Sequence, residues 1–131
     1  MNRVVEFLKQ AGTFYLATVE GDQPKVRPFG AVTEFEGRLY VCTNNRKPCF
    51  AQIKHNPNVE ISATIQGGKW IRLSGKLVRD SRQEARQAFL DDNKDLDSLY
   101  DANDGIFEVL YLEEGIASFC SFTEETETME L

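Results

Sequence analysis

Short runs of β-branched and aromatic residues, each closed by a glycine-containing turn, recur along the chain and confine it to a mainly β, antiparallel fold. The first run spans residues 13–19 and ends at Glu20-Gly21-Asp22. A second, residues 25–35, is interrupted at Pro28 and Gly30, residue types that break a ladder and mark a bulge, an edge or a close backbone approach. Glu36-Gly37 then predicts a hairpin to a strand over residues 38–43. Residues 59–65 and 69–78 read as a second hairpin around Gly67-Gly68, with Gly75 letting the longer strand bend. Residues 106–112 and 116–122 read as a third pair around Glu113-Glu114-Gly115, before an acidic, extended tail.

Helical patterns interrupt the strands at three places. Asn2 is placed to cap a helix carrying Val4, Phe7, Leu8 and Ala11 on one face, and Gly12 stands where it stops. Pro48 suits a first helical turn, with Cys49, Phe50 and Ile53 as a short apolar face and Asn56-Pro57 as the end. Ser81 to Glu84 has the form of a capping box ahead of Ala85, Ala88 and Phe89, and residues 91–104 read as loop or a short irregular helix. About seven strands with few helices predict a closed or nearly closed antiparallel barrel, with a sandwich as the alternative. The length of 131 residues suits a single domain, 1–131.

A net charge of −6 gives no broad positive field, which argues against nucleic acid or an acidic membrane as partner. No apolar stretch is long enough to span a bilayer, and no leader is evident, so a cytoplasmic location is expected. Cys42, Cys49 and Cys120 are odd in number and lack paired spacing, which fits reduced, buried thiols and no metal site.

Against this acidic background a local basic cluster is informative. Thr43, Asn44, Asn45, Arg46 and Lys47 lead from a strand end into a helix start, where unpaired amides, the helix dipole and two cations all favour an anion such as a phosphate. The competing reading is that Arg46 and Lys47 are solvated cations and Asn45 merely a cap. Arg27 adds weight, because its strand is expected to pair with the one ending at Thr43, which would bring two basic sites together. Beside it, Pro28, Phe29 and Gly30 offer a flat aromatic and a glycine that admits a planar ring close to the main chain; the alternative is a bulge with Phe29 in the core.

The order and spacing of four segments resemble the pyridoxamine 5'-phosphate oxidase-like flavoproteins of the FMN-binding split-barrel fold. They are Val26-Arg27-Pro28-Phe29-Gly30; Gly37-Arg38-Leu39-Tyr40-Val41-Cys42-Thr43-Asn44; Gln52-Ile53 with Asn56-Pro57-Asn58-Val59; and Trp70-Ile71-Arg72-Leu73-Ser74-Gly75-Lys76. The resemblance implies a Greek-key-like antiparallel split barrel and a homodimer with FMN at the subunit interface. It implies that Arg27 and Lys47 contact the phosphate with Thr43, Asn44 and Asn45 beside it. It further implies that Pro28 to Gly30 lie along the flavin, and that Trp70 reaches the partner's flavin. Lys47-Pro48-Cys49 stands where many family oxidases have serine, arginine and lysine, so the phosphate grip around Pro48 is rearranged. The arginine and histidine of the true oxidase's C-terminal segment have no counterpart after Ser121, which argues against pyridoxamine phosphate as substrate. The expected activity is transfer of a hydride or electron pair between FMN and a small organic acceptor. A flavin-binding protein without turnover and a nitroimidazole reductase-like enzyme are the alternatives.

Other residues carry less. His55, the only histidine, falls in the last turn of a short helix where it suits the dipole better than catalysis. Asp91, Asn93 and Asp95 have the spacing of a calcium loop, but Leu96 and Ala102 occupy its glycine and final glutamate positions. No side chain stands out as a general acid or base.

Overall fold

The computed structural model describes residues 2–131, Asn2 by its backbone alone. The first helix, α1 (Asn2–Ala11), buries Val4 and Leu8 completely against the sheet, and Gly12 ends it at φ +80° while donating its N–H to Leu8 O at 3.1 Å. Asn2 is already the first helical residue rather than the one before it, and its side chain, with the expected cap, lies outside the described residues.

Eight strands follow among the described residues: β1 (Phe14–Glu20), β2 (Gln23–Phe29), β3 (Thr33–Phe35), β4 (Arg38–Asn44), β5 (Asn58–Ile65), β6 (Lys69–Asp80), β7 (Phe107–Ser121) and β8 (Glu127–Glu130). Helix α2 (Pro48–His55) separates β4 from β5. Helix α3 (Gln83–Asp92) and a 3-10 turn (Lys94–Ser98) separate β6 from β7. All pairings are antiparallel, in the order β2-β1-β5-β6-β7-β4-β3, with β8 added to β7. The meander β5-β6-β7 is thus flanked by two earlier hairpins in a Greek-key-like arrangement, and the sheet stays open between β2 and β3 as a split barrel. The main core fills the barrel with Phe14, Leu16, Leu39, Val41, Ile61, Ile71, Leu73 and Leu110. A second cluster, Tyr40, Ala85, Phe89, Phe107 and Val109, seals α3 onto the outer face of β4 and β7. Because β7 is covered on both faces, residues 107–110 are buried without alternation.

Three expectations change here. Glu113-Glu114-Gly115 is not a hairpin turn, and β7 runs unbroken through it for 15 residues. Ser74 pairs with Ile116 and Lys76 with Glu113, so Glu114 and Gly115 together oppose the single Gly75, with Glu114 at φ 55°. The same Glu-Gly dipeptide at 36–37, with φ 51° and 75°, does reverse the chain between β3 and β4. What decides is whether flanking residues find partners in a third strand, and β6 is long enough to supply them on both sides of the bulge.

Secondly, residues 25–35 are not one strand: β2 ends at Phe29, and Gly30 to Val32 carry the chain across the opening to β3. Arg27 therefore does not lie on a strand paired with β4; among the described residues β2 pairs with β1 alone, which sets Arg27 opposite Leu16. Lastly, Ser81 is not the cap of α3. The helix starts after Arg82 with no side-chain cap, and Asp80 Oδ1 accepts the Arg82 N–H at 3.0 Å instead. The acidic tail is extended as expected, and β8 pairs with residues 116–119 of β7.

Gly75 matters for close approach rather than for φ. A Cβ there would lie 2.8 Å from Leu112 Cδ1 and 2.9 Å from the Glu113 carbonyl oxygen, the latter held in the ladder. Gly75→Ala is expected to cost about 1–3 kcal/mol through this overpacking, read by urea unfolding. An unchanged midpoint would mean that the bulge absorbs the methyl group.

Candidate functional site

The split in the barrel is where the expected residues meet. The end of β2 and the segment after it supply Arg27, Pro28, Phe29 and Gly30; the end of β4 supplies Thr43; the start of α2 supplies Lys47. Together they line one cavity of about 310 Å3, at the small end of the range for ligand pockets. Arg27 and Lys47 thus converge as expected, but across the opening of the sheet rather than along a ladder.

Arg27 is half-buried and firmly placed. Its Nη1 donates to Leu16 O at 3.1 Å and its Nη2 to Gln52 Oε1 at 2.7 Å. Of the five N–H donors of a guanidinium, these two bonds leave three for a ligand. Lys47 is the residue before α2, in an extended conformation with no side-chain cap, and Pro48 is the first residue of the helix. Among the described residues, neither Arg27 nor Lys47 has a carboxylate oxygen within 4.0 Å. Two cations without an ion-pair partner among the described residues thus stand on the wall of one cavity in an acidic protein, with Asp95 on the facing wall. At Gly30 a side chain would meet nothing within 4 Å, so the space over that backbone is clear for a flat group.

Asn44 and Asn45 bond to the protein itself. Asn44 Oδ1 accepts the Arg46 N–H at 3.0 Å, shaping the turn, while its Nδ2 donates to the Tyr100 hydroxyl oxygen at 2.8 Å. Asn45 Nδ2 donates to Gly105 O at 2.8 Å and to Glu108 Oε2 at 3.0 Å. Neither asparagine nor Pro48 lines the cavity, and Arg46 is an exposed cation outside it. Trp70 lies elsewhere, with Phe119 and Cys120 around a separate cavity of about 290 Å3, its ring 5.0 Å from that of Phe122.

The wall facing Arg27 and Lys47 comes from Asp95, Leu96, Leu99 and Tyr100, in the stretch read as loop or a short irregular helix, where the chain forms the 3-10 turn and the sequence singles out no site residue. Apolar residues at 96, 99 and 100, spaced as on one face of a helical turn within an acidic stretch, are the signal that could have singled it out. Two cysteines complete the lining. Burial pushes the Cys42 thiol up to about 12 despite Lys47 nearby, with Asp95 adding to the rise. Cys49 is also raised by burial, against the opposing pull of Arg27 and Lys47. Both stay protonated at neutral pH and are poor nucleophiles. A larger groove of about 760 Å3 lies between α1 and α3, but Glu6, Glu34, Asp91 and Asp92 among its walls make it unfit for an anion.

The open barrel has known parallels. The family described as pyridoxamine 5'-phosphate oxidase matches residues 1–103. No curated protein matches the chain. Among solved structures, a NimC/NimA family protein from Clostridium acetobutylicum is 52% identical, covers 100% of this chain and 92% of its own, and superposes with a TM-score of 0.97. General stress protein 26 from Bacillus anthracis shares the fold at 19% identity, covering 98% of this chain and 97% of its own, with a TM-score of 0.78. A pyridoxamine 5'-phosphate oxidase-related, FMN-binding protein from Nostoc punctiforme shares it at 18% identity, covering 98% and 91%, with a TM-score of 0.63. The match over residues 1–103, together with the open barrel that the chain shares with these structures, makes it a member of the pyridoxamine 5'-phosphate oxidase family.

Proposed function

We propose that this chain binds FMN in the cavity at the split and works as a flavin-dependent oxidoreductase. The observation that carries the reading is the convergence of Arg27 and Lys47, from separate elements and without carboxylate partners among the described residues, on one cavity. The residues fit the group: two cations suit its phosphate, and the shelf from Pro28 to Gly30, clear above Gly30, suits the edge of its ring. Thr43 contributes a hydroxyl beside them. When bound, FMN would supply hydride or electron-pair transfer; the chain's part is to bind and orient it and to leave a face open to the acceptor. The protonated thiols of Cys42 and Cys49 act there as packing groups.

The cavity is open, and one chain covers only part of a bound flavin. A homodimer with the cofactor between subunits is the natural completion, with Trp70 and its exposed neighbour Phe122 as the partner's contribution. Val26 and Tyr15, 67% and 50% exposed on the β2 edge and its neighbour, supply apolar surface for such a contact. A second reading, reduction of nitroaromatic compounds, is favoured by the 52% identity to a NimC/NimA family protein.

Purified protein is expected to be yellow, to sediment as a dimer, and to show flavin absorbance that bleaches with a reduced nicotinamide and returns with an acceptor. A nitroimidazole acting as that acceptor selects the second reading. Absence of bleaching with every donor would leave a binder without turnover. A colourless protein that takes up no FMN at micromolar concentration overturns the proposal.

A further inference from the structure

Gln52 is polar and only 8% exposed, on the inward face of α2 behind the cavity wall. Its Oε1 accepts two hydrogen bonds, from Thr18 Oγ1 at 2.6 Å and from Arg27 Nη2 at 2.7 Å, and its Nε2 donates to Glu20 Oε2 at 3.3 Å. The amide has only one orientation that satisfies all three contacts. A guanidinium offers donors alone and a carboxylate acceptors alone, so the carbonyl end must face Arg27 and the amine end Glu20. Leu16, Thr18 and Glu20 lie two residues apart along β1, and Arg27 is paired opposite Leu16. Arg27 and Glu20 therefore stand on the same face of the hairpin, with Thr18 and the Gln52 amide between them.

We propose that Gln52 is the positioning residue of the anion site, a neutral spacer between Glu20 and Arg27. It fixes the guanidinium by a hydrogen bond that carries no compensating charge, and it occupies the space through which the two long side chains would otherwise pair. The charge on Arg27 stays available to the cavity because its two protein partners, the Gln52 amide and the Leu16 carbonyl, are both neutral. A carboxylate at position 52 would hold Arg27 equally well and would remove that charge.

This inference rests on the phosphate reading of the cavity and is tested by the ratio of FMN to riboflavin affinity, measured by fluorescence titration of the apoprotein. Gln52→Glu is expected to weaken FMN at least tenfold while leaving riboflavin within twofold, and to flatten the salt dependence of FMN binding. Glu20→Gln, at an exposed position, is expected to keep the wild-type ratio. The double variant Gln52→Glu/Glu20→Gln, which removes repulsion between adjacent carboxylates, is expected to fold well and keep the low ratio. Gln52→Met preserves length without a carbonyl and is expected to lower the ratio less than Gln52→Glu. Equal losses of FMN and riboflavin in Gln52→Glu would mark a purely structural glutamine and overturn the inference. So would a wild-type ratio retained in the double variant. A wild-type protein that binds FMN no better than riboflavin would instead overturn the phosphate reading itself, before any variant is made.

Discussion

Arg27→Ala is expected to weaken FMN binding by about one to two orders of magnitude while changing riboflavin binding little, because it deletes a charge-assisted contact worth about 1.5–3 kcal/mol. Lys47→Ala is expected to act in the same sense and by less. The difference follows from placement: Arg27 is half-buried and held by Leu16 O and Gln52, so little ordering remains to be done on binding, whereas Lys47 is exposed with an unconstrained ammonium group. The paired titrations are decisive because riboflavin differs from FMN only in lacking the phosphate. Equal losses for both ligands in Arg27→Ala would place the phosphate elsewhere and leave Arg27 as a brace for β1.

How much of this was legible in the sequence differs between local and non-local features. The strands read at residues 13–19, 38–43, 59–65 and 69–78, the turns at Gly21, Gly37 and Gly67-Gly68, and the proline start of α2 follow from local chemistry, and the structure places them close to where periodicity does. The bulge at Glu114-Gly115 was not legible, since a left-handed pair flanked by apolar residues is the same signal whether the chain reverses or only bends. Pairing partners decide it, and those are set by the register of β6, far earlier in the chain. The Ser81 capping pattern failed for a related reason. Asp80, at the end of a strand and already bound to Tyr40, accepts the Arg82 N–H, and Arg82 is extended, so the helix starts one residue later than a Ser81 cap requires.

The candidate site shows the same division. Arg27, Pro28, Phe29, Gly30, Thr43 and Lys47 all line one cavity, yet they meet across the opening of the sheet and not along the β2–β4 ladder that the sequence predicts. Residue types with a chemical preference for an anion were readable; the route by which they meet was not. Asn44 and Asn45 have the same preference but spend it on Arg46, Tyr100, Gly105 and Glu108. Side-chain amides are equally suited to ligands and to backbone groups, and only the fold shows which is nearer. Gln52 has no role legible in the sequence, because its importance lies in standing between residues 20 and 27.

The wall opposite the cations depends on a cluster far from the ligand, and its loss should be large. Asp80 Oδ2 accepts the Tyr40 hydroxyl at 2.7 Å and Arg82 Nη2 at 2.9 Å, while Oδ1 accepts the Arg82 backbone N–H and Nε at 3.0 and 3.1 Å. Arg82 reaches on to Glu36, and Arg86, one turn later, donates to Ala102 O. One carboxylate thus ties β6, β4 and the start of α3 together, and α3 leads into the segment that carries Leu96, Leu99 and Tyr100. The Arg82 hydrogen bonds, with the Tyr40 hydroxyl, lower the Asp80 carboxyl from 3.8 to about 2, while burial and Asp80 push Tyr40 up to about 12. Asp80→Ala is expected to cost about 3 kcal/mol, since it strands the hydroxyl of a residue that is 1% exposed. Asp80→Asn keeps the shape but does not titrate, and it isolates the charge. Because the folded carboxyl is the stronger acid, its contribution of about 2 kcal/mol is fully present above pH 4 and is lost as pH falls through 2. The stability gap between wild type and Asp80→Asn, measured by urea unfolding, should therefore be constant from pH 5 to 7 and close on acidification. A gap that stays open at low pH would assign the effect to packing alone and remove the charge from the account of how this wall is held.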